Sequence, residues 1–290
     1  MADLFDAVFD AQPTQLDVVH RDALHQWWQR QSDSTLTKTI ESLAPEASQW
    51  RALIASEFVR RVLAAQPDRA VDILHNRPEA LAEQLPWNQH DAVAQHLRRW
   101  RARQMARLAV AEMGGQLTLS ECLSGLSQLA DTAVLAALHS ARAQMRQRYG
   151  CLRAAGGNEV PLVVIAMGKL GGDELNFSSD IDILFAFPEA GCSDGERAVE
   201  APEYCLREAR LVIDLLDRMT ADGRVFRVDT RLRPFGDAGP LAISFAALED
   251  YLQRQGRDWE RYAFVKARFL ATTDVPAVAQ FQDSVVRPFV

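Results

Sequence analysis

The segment from Gly168 to Asp182 contains the residues whose types and spacing best suit chemistry. Asp180 and Asp182 stand two apart in SDIDILFAFP, a run that predicts a strand ended by Pro188. Side chains alternate across a strand, so both carboxylates point to the same face. Two like charges at this spacing repel each other, and a divalent cation removes the conflict. Because hard oxygen ligands suit Mg²⁺, the pair predicts a magnesium site.

Residues before the aspartate pair are suited to phosphate recognition. Gly171 and Gly172 predict a tight turn whose backbone N–H groups can face phosphate oxygens. Lys169 stands beside the turn as a point charge for phosphate, and Ser179 adds a short hydroxyl donor. We therefore expect a phosphate-binding turn next to the aspartates.

A later segment, VFRVDTRLRP, predicts another strand and supplies a third carboxylate, Asp229. Along this strand, alternate residues place Arg227, Asp229 and Arg231 on one side. Arg231 and Arg233 are suited to bidentate phosphate recognition, because a guanidinium group presents paired donors. Three carboxylates, a glycine turn and paired arginines predict a site that moves a nucleotidyl group between oxygens with the help of metal ions.

The elements that position these residues divide the chain into unlike parts. Residues 1–150 have apolar residues three and four apart, interrupted by prolines and by Gly114–Gly115, and predict a helical region. Residues 151–270 mix short β-branched runs with amphipathic segments and predict a compact α+β or α/β catalytic domain. Residues 271–290 predict the start of a further helical segment that is truncated.

Within residues 151–270 the patterns predict which residues lie in the core. One strand is expected in PLVVIAMG. The strand face opposite the aspartates should be core: Ile181, Ile183, Phe185 and Phe187. Three helices are expected: Glu196–Met219, Phe245–Gln255 and Trp259–Leu270. Trp259 is predicted to be buried.

Composition excludes several classes of protein. The 290 residues are 48% hydrophobic and 24% charged, which is typical of a globular chain. The net charge of −7 argues against a nucleic-acid partner. No apolar run is long enough to span a membrane, and the acidic start MADLFDAVFD is unlike a signal peptide. We expect a soluble, cytoplasmic protein with neither nucleic-acid nor membrane partners.

Thiol, histidine and P-loop chemistry are not expected. Four cysteines lie far apart with no C-x-x-C pair and predict buried free thiols: Cys122, Cys151, Cys192 and Cys205. All six histidines fall within residues 1–150, so histidine-dependent catalysis in residues 151–270 is not predicted. The string GKLGG lacks the spacing of a P-loop and of a dinucleotide fingerprint.

Longer strings make the motifs specific. A glycine turn followed by D-x-D and a later strand aspartate resembles the polymerase-β-type nucleotidyltransferase superfamily. The strings MGKLGGDELNFSSDIDILF, RVDTRLRPFGDAGPL and QGRDWERYAFVKAR resemble the bifunctional glutamine synthetase adenylyltransferase/adenylyl-removing enzymes, which have two homologous nucleotidyltransferase halves. The forms R-P-F-G-D-A-G-P and W-E-R-Y resemble the amino-terminal, adenylyl-removing half. This likeness covers about Pro161–Leu270.

The resemblance implies a fold and a set of site residues. The fold would be α+β and mostly helical, with a helical amino-terminal region before a polymerase-β-type nucleotidyltransferase domain that has a small mixed sheet. Three catalytic aspartates would hold Mg²⁺, with two ions expected: Asp180, Asp182 and Asp229. The implied phosphate and nucleotide contacts are Gly171, Gly172, Ser179, Lys169, Arg231, Arg233 and Lys266.

The resemblance also implies a reaction and partners. In phosphorolysis, orthophosphate attacks the adenylyl-tyrosine of glutamine synthetase and releases ADP, in the regulation of nitrogen assimilation by the PII signalling protein and glutamine. Adenylylation of the same tyrosine from ATP is an alternative, because motifs identify chemistry better than direction. A catalytically silent module that binds PII or glutamine synthetase is a second alternative.

Overall fold

A computed structural model describes most of the chain. The described residues are 15–31, 35–43, 47–82, 85–270 and 276–286. They form an α+β protein that is mostly helical and has a small mixed sheet, which confirms the predicted fold class. Contacts divide the chain into two compact units, residues 1–81 with 100–125 and residues 82–99 with 126–290. The catalytic domain assigned to residues 151–270 stays a prediction.

Among the described residues before 150, the regular structure is helical, and further helices follow in the rest of the described chain. The described helices are α1 (Gln15–Arg30), α2 (Thr35–Leu43), α3 (Ala47–Ala55), α4 (Glu57–Ala65), α5 (Ala70–Leu74), α6 (His90–Met113), α7 (Leu119–Tyr149), α8 (Gly168–Gly171), α9 (Ala201–Asp217), α10 (Phe245–Arg254), α11 (Asp258–Ala263) and α12 (Pro276–Phe281). As predicted, the α6 helix ends just before Gly114–Gly115, where Gly115 has a φ of 72°. Pro67 begins a 3-10 turn, whereas Pro45 lies outside the described residues.

None of the described helices combines the length and hydropathy needed to cross a membrane.

Aromatic contacts and a two-pronged ion pair connect segments within the first unit. Trp28 and Trp50 lie with ring centroids 5.8 Å apart. The guanidinium group of Arg103 donates to both carboxylate oxygens of Glu79, at 2.7 and 3.0 Å. Such a two-pronged contact fixes geometry better than a single ion pair. Among its described residues, this unit has only helices and turns.

The second unit contains the sheet. The described strands are β1 (Leu152–Arg153), β2 (Val163–Ala166), β3 (Ile181–Phe187), β4 (Cys192–Ser193), β5 (Val228–Asp229), β6 (Ala242–Ser244) and β7 (Arg268–Leu270). The main sheet has the order β5-β3-β2-β7, and β6 also pairs with β3. Strand β2 is antiparallel to β3 and β7, whereas β5 and β6 run parallel to β3. Strands β1 and β4 form a separate antiparallel pair.

Strand β3 is buried on both of its faces. Ile183 and Phe185 lie in the core as predicted, but Leu184 and Ala186, on the face of Asp182, are buried too. This second face packs into a cluster that includes Phe245 of α10. A central strand that is covered on both faces has apolar residues at successive positions. Polar and apolar residues therefore alternate only at the end of β3 that carries the aspartates.

Two expected elements differ from the structure. Only Val228–Asp229 of the predicted third strand pairs with the sheet, because the chain turns away after Thr230. The predicted helix Trp259–Leu270 is α11, a 3-10 turn and the edge strand β7. Pairing of β7 with β2 satisfies backbone groups that an uncovered edge would leave to water.

Two burial predictions are wrong. Trp259 is 54% exposed, because the six-residue helix α11 turns this side chain toward solvent. Cys122 and Cys205 are buried free thiols as expected, but Cys151 is only partly buried and Cys192 is exposed on the short strand β4. The helices α9 and α10 agree with the predicted segments to within a turn or so at each end. Helix α12 and a π-helical turn, Gln282–Val286, occupy the described part of residues 271–290.

A carboxyl group is buried where α9 packs in the second unit. Glu208 is only 2% exposed, and its Oε1 lies 3.5 Å from Nε of Arg142 in α7. Burial raises the pKa of Glu208 to about 7, although the guanidinium group of Arg142 opposes the rise. The folded protein therefore resists ionisation of this group.

We predict that Glu208→Gln changes the pH dependence of stability. Between the unfolded pKa of 4.5 and the folded pKa of about 7, the unfolded chain loses the Glu208 proton first, so ionisation favours unfolding. The free energy of unfolding of the wild type should fall relative to that of the variant by on the order of 3 kcal/mol from pH 4 to pH 8. Urea unfolding across this range measures the difference. A constant difference would contradict the shifted pKa.

Candidate active site

Parallel pairing of β3 with β5 brings the predicted aspartates together. In this register Asp182 lies opposite Asp229, and Ile181 lies opposite Val228. A backbone hydrogen bond next to this pair supports it, because the N–H of Ile181 donates to the carbonyl of Arg227 at 2.9 Å. Directly opposite residues share a face of the sheet, and Asp180 lies just before β3, close enough to Asp182 for its charge to raise the pKa of that carboxyl group. The three aspartates thus occupy one end of the sheet.

Asp182 is the most enclosed of the three carboxylates. Its partial burial is the largest cause that raises its pKa, and the negative charges of Asp229 and Asp180 raise it further. Arg231 and Lys169 oppose this rise. The site therefore holds a half-buried carboxylate that a nearby cation would stabilise.

Gly168, rather than the predicted glycine turn, contacts this carboxylate. Gly168 begins the short helix α8 with a φ of 54°, and a Cβ atom at this position would lie 2.5 Å from Oδ2 of Asp182. The backbone arrives there because the N–H of Met167 donates to the carbonyl of Asp182 at 2.8 Å. Only glycine combines this backbone conformation with such a close approach. The sequence did contain an indication of this role, because Gly168 is the first glycine of GKLGG and stands at the end of a predicted strand.

Gly171 and Gly172 have a packing role at the other end of α8. Their N–H groups donate to the carbonyls of Met167 and Gly168, at 2.9 and 3.1 Å. A Cβ atom on Gly171 would collide with the carbonyl oxygen of Lys266. These glycines let α8 lie against the Lys266 segment, and the phosphate contact assigned to them stays a prediction.

Lys169 and Ser179 lie together next to Asp180. Nζ of Lys169 is 3.4 Å from Oγ of Ser179, and that hydroxyl donates to Oδ1 of Asn176 at 2.6 Å. Asn176, which the sequence analysis did not select, therefore orients the serine. The two predicted phosphate ligands are close enough to act on the same anion.

Arg231 holds the carboxylate of Asp229. Its Nε lies 3.0 and 2.9 Å from the two carboxylate oxygens, and its backbone N–H donates to Oδ1 at 2.8 Å. This hydrogen bonding is the main cause that lowers the pKa of Asp229. The pKa values of the two neighbouring carboxyl groups therefore shift in opposite directions, with that of Asp229 lowered and that of Asp182 raised.

Arg227 forms the equivalent pair with Asp180, and sequence reasoning assigned it no role. Its Nε donates to Oδ1 of Asp180, and its Nη2 reaches the carbonyl of Ser178 at 3.3 Å. The sequence could have indicated a role for Arg227, because it stands two residues before Asp229 and on the same side of the predicted strand.

Arg233 braces the loop between β5 and β6. Its guanidinium donates to the carbonyl and hydroxyl of Thr230, at 2.9 and 2.7 Å, and its Nε lies 3.3 Å from the carbonyl of Gly239. A Cβ on Gly239 would collide with the carbonyl oxygen of Pro234. The side chain of Arg233 is only 10% exposed, so its described contacts tie the two ends of the loop together. Its assignment to phosphate stays a prediction.

Lys266 faces a cleft at the far end of α8. Its Nζ lies 2.6 Å from Oε2 of Glu174, and both residues line a cleft of about 620 Å³. Arg268 and Asp131 form a two-pronged ion pair in the same lining, at 2.5 and 3.1 Å. The structure thus places Lys266 beside Gly171 and Gly172.

The donor set of three carboxylates suits a divalent cation, but two of the three side chains contact arginines. Among the described residues, no three Asp, Glu, His or Cys side chains are arranged to hold a metal ion. The carboxylates of Asp180 and Asp229 instead contact Arg227 and Arg231. Backbone register nevertheless sets three carboxylates at one sheet end, and carboxylate oxygens are ligands for Mg²⁺. A metal would relieve the charge repulsion at Asp182 once the other two carboxylates turned.

The small mixed sheet, with paired aspartates on one strand and a third on its parallel neighbour, fits a nucleotidyltransferase-type domain. The chain belongs to the glutamate-ammonia ligase adenylyltransferase family, whose model matches residues 47–283. The matched residues include all three aspartates and the two arginines that contact Asp180 and Asp229.

Curated relatives support the family assignment. The chain is 41% identical over 278 residues to the bifunctional glutamine synthetase adenylyltransferase/adenylyl-removing enzyme of Shewanella loihica, covering 91% of this chain. It is 45% identical over 243 residues to the enzyme of that name from Chromobacterium violaceum, covering 81%. For Shewanella frigidimarina the identity is 50% over 183 residues, covering 63%. The matches span 29%, 27% and 19% of these longer relatives, so the chain is similar to less than a third of each.

We predict that Gly168→Ala destabilises the protein more than two matched glycine substitutions. Gly157 has a φ of 82° with no atom within 4 Å of an added Cβ, so Gly157→Ala tests backbone strain alone. Gly172 has an ordinary φ, and its added Cβ would meet only the flexible end of Lys266 closely, at 2.9 Å. Gly157→Ala should cost about 1 kcal/mol and Gly168→Ala at least about 2 kcal/mol in urea unfolding. Equal costs at positions 157 and 168 would contradict the close approach to Asp182.

Proposed function

We propose that this chain carries a metal-dependent nucleotidyltransferase site that removes adenylyl groups from glutamine synthetase by phosphorolysis. The observation that carries the proposal is the parallel register that sets Asp182 beside Asp229, with the charge of Asp180 close to Asp182 just before β3. The names of the relatives include both adenylyl transfer and adenylyl removal. The strings R-P-F-G-D-A-G-P and W-E-R-Y support removal as the direction.

In the proposed reaction one P–O bond forms and another breaks. An orthophosphate oxygen attacks the α-phosphorus of the adenylyl-tyrosine, the bond from phosphorus to the phenolic oxygen breaks, and ADP and a tyrosine side chain are released. Because the phenol has a pKa of about 10, its departure as an anion needs a cation or a proton. Mg²⁺, bound as two ions by Asp180, Asp182 and Asp229, would supply this stabilisation and orient the phosphates.

Basic side chains around the aspartates would hold the anionic reactants. Lys169 and Ser179 lie within 3.4 Å of each other beside Asp180, and Arg231 is an exposed guanidinium at Asp229. Cations in these places reduce the repulsion between orthophosphate and the adenylyl phosphate. The proposed phosphate and nucleotide contacts also include Gly171, Gly172, Arg233 and Lys266. In the described contacts the two glycines allow close packing, Arg233 braces a loop and Lys266 pairs with Glu174.

The proposed setting is the regulation of nitrogen assimilation in the cytoplasm. Adenylylated glutamine synthetase would be the protein substrate and the PII signalling protein a regulator, with no nucleic acid or membrane involved. Transfer of AMP from ATP is the alternative, because it would use the same three carboxylates. A silent binding module is disfavoured, since a site without chemistry has no use for the half-buried carboxylate that Asp182 contributes.

Labelled orthophosphate distinguishes these functions. The chain is incubated with adenylylated glutamine synthetase, Mg²⁺ and labelled orthophosphate, and a parallel reaction contains unmodified glutamine synthetase and labelled ATP. We expect label in ADP in the first reaction. Label on glutamine synthetase in the second would show the transferase instead, and no label in either would favour the binding module.

We predict that the double change Asp180→Asn and Asp182→Asn lowers phosphorolysis by at least about 10³-fold, because it removes most of the metal-binding charge. Folding should be kept, since replacing the charged Asp182 removes a repulsion that raises its pKa. Asp250→Asn on α10 is the matched control, because Asp250 is an exposed partner of Arg254. Activity that survives the double change would contradict the metal-site assignment.

A further inference from the structure

Two of the three clustered carboxylates are paired with guanidinium groups from one short segment. In the run Arg227-Val-Asp-Thr-Arg231, the first arginine contacts Asp180 and the last contacts Asp229. A carboxylate that accepts from a guanidinium has fewer lone pairs directed at a metal ion. The arginines would therefore compete with a divalent cation for the carboxylates of Asp180 and Asp229.

The side chain of Arg227 is free to leave this position without moving the sheet. Its backbone is held by the hydrogen bond from Ile181, whereas its side chain is 57% exposed. The described contacts of the guanidinium are with Asp180 and, at 3.3 Å, the carbonyl of Ser178. An exposed ion pair of this kind is weak, because water screens it and the long side chain loses rotamer freedom. A divalent ion shared by several carboxylates can displace it.

A displaced Arg227 would remain close to the phosphate-binding groups. Arg227 contacts Asp180, which directly follows Ser179 in the sequence, and the hydroxyl of Ser179 lies 3.4 Å from Nζ of Lys169. A guanidinium released there has five donors and matches the oxygens of a phosphate group. Arg233 cannot serve in this way without releasing the loop that it braces.

We propose that Arg227 exchanges partners during ligand binding: it neutralises Asp180 in the metal-free protein, and when a divalent metal takes Asp180 it turns to bind a phosphate group. The nature of that anion rests on the proposed function, whereas the exchange rests on the contacts of Arg227. Metal and phosphate then bind cooperatively, because each favours the arrangement that the other needs. By linkage, phosphate raises the affinity for metal by the same factor as metal raises the affinity for phosphate.

The test measures binding rather than turnover, on the whole chain. Mn²⁺ binding is followed by electron paramagnetic resonance without phosphate, and orthophosphate binding by calorimetry with saturating Mg²⁺. Arg227→Gln should bind Mn²⁺ about 2- to 5-fold more tightly, because a competing cation is removed. It should bind orthophosphate at least about 10-fold more weakly, because a charge-assisted contact is lost. Arg227→Lys should recover part of the phosphate affinity.

A matched control removes an equivalent pair away from the site. Arg254 on α10 is an exposed arginine that contacts Asp250 through Nε at 2.8 Å, so Arg254→Gln should change neither affinity. Weaker binding of both ligands by Arg227→Gln would contradict the exchange and give Arg227 a structural role. Tighter Mn²⁺ binding with unchanged phosphate binding, or no change in either, would also contradict it. A wild-type chain that binds no Mn²⁺ would overturn the proposed metal site itself.

Discussion

The pairing of the two-residue strand β5 with the start of β3 is the constraint on which the site depends. It sets Asp229 opposite Asp182 at the one end of β3 that is not covered on both faces. The rest of β3 is enclosed, so the backbone that presents these carboxylates is held by the core. Charge repulsion that would splay two free aspartates apart is thereby opposed by the packing of the sheet.

The segments next to the aspartate end of β3 pack closely in different ways. Gly168 lets the backbone pass against the carboxylate of Asp182, and Gly171–Gly172 lets the other end of α8 lie on the Lys266 segment. Arg233 ties together the loop that leaves β5 and returns to the same edge of β3 as β6. These glycines and Arg233 act on the geometry of the site, because each allows or fixes a close approach of backbone segments.

Positive charge balances the carboxylates in an arrangement that can change. Arg227 and Arg231 contact two of them through exposed side chains, while Asp182 is left with a raised pKa. Exposed ion pairs contribute little to stability, so these contacts can be exchanged for others at small cost. A site that binds both a cation and an anion benefits from side chains that serve either state.

The sequence alone was sufficient for the fold class, the strand that carries Asp180 and Asp182, and the helices α9 and α10, because local patterns and strings encode them. It also selected Asp229, although the strand around it is only two residues long. Tertiary structure decided which glycine faces Asp182, which arginine holds Asp180, and that Arg233 braces a loop. It also decided that Trp259 is exposed. These outcomes depend on which segments meet across the sheet, and side-chain periodicity carries no information about partners distant in sequence.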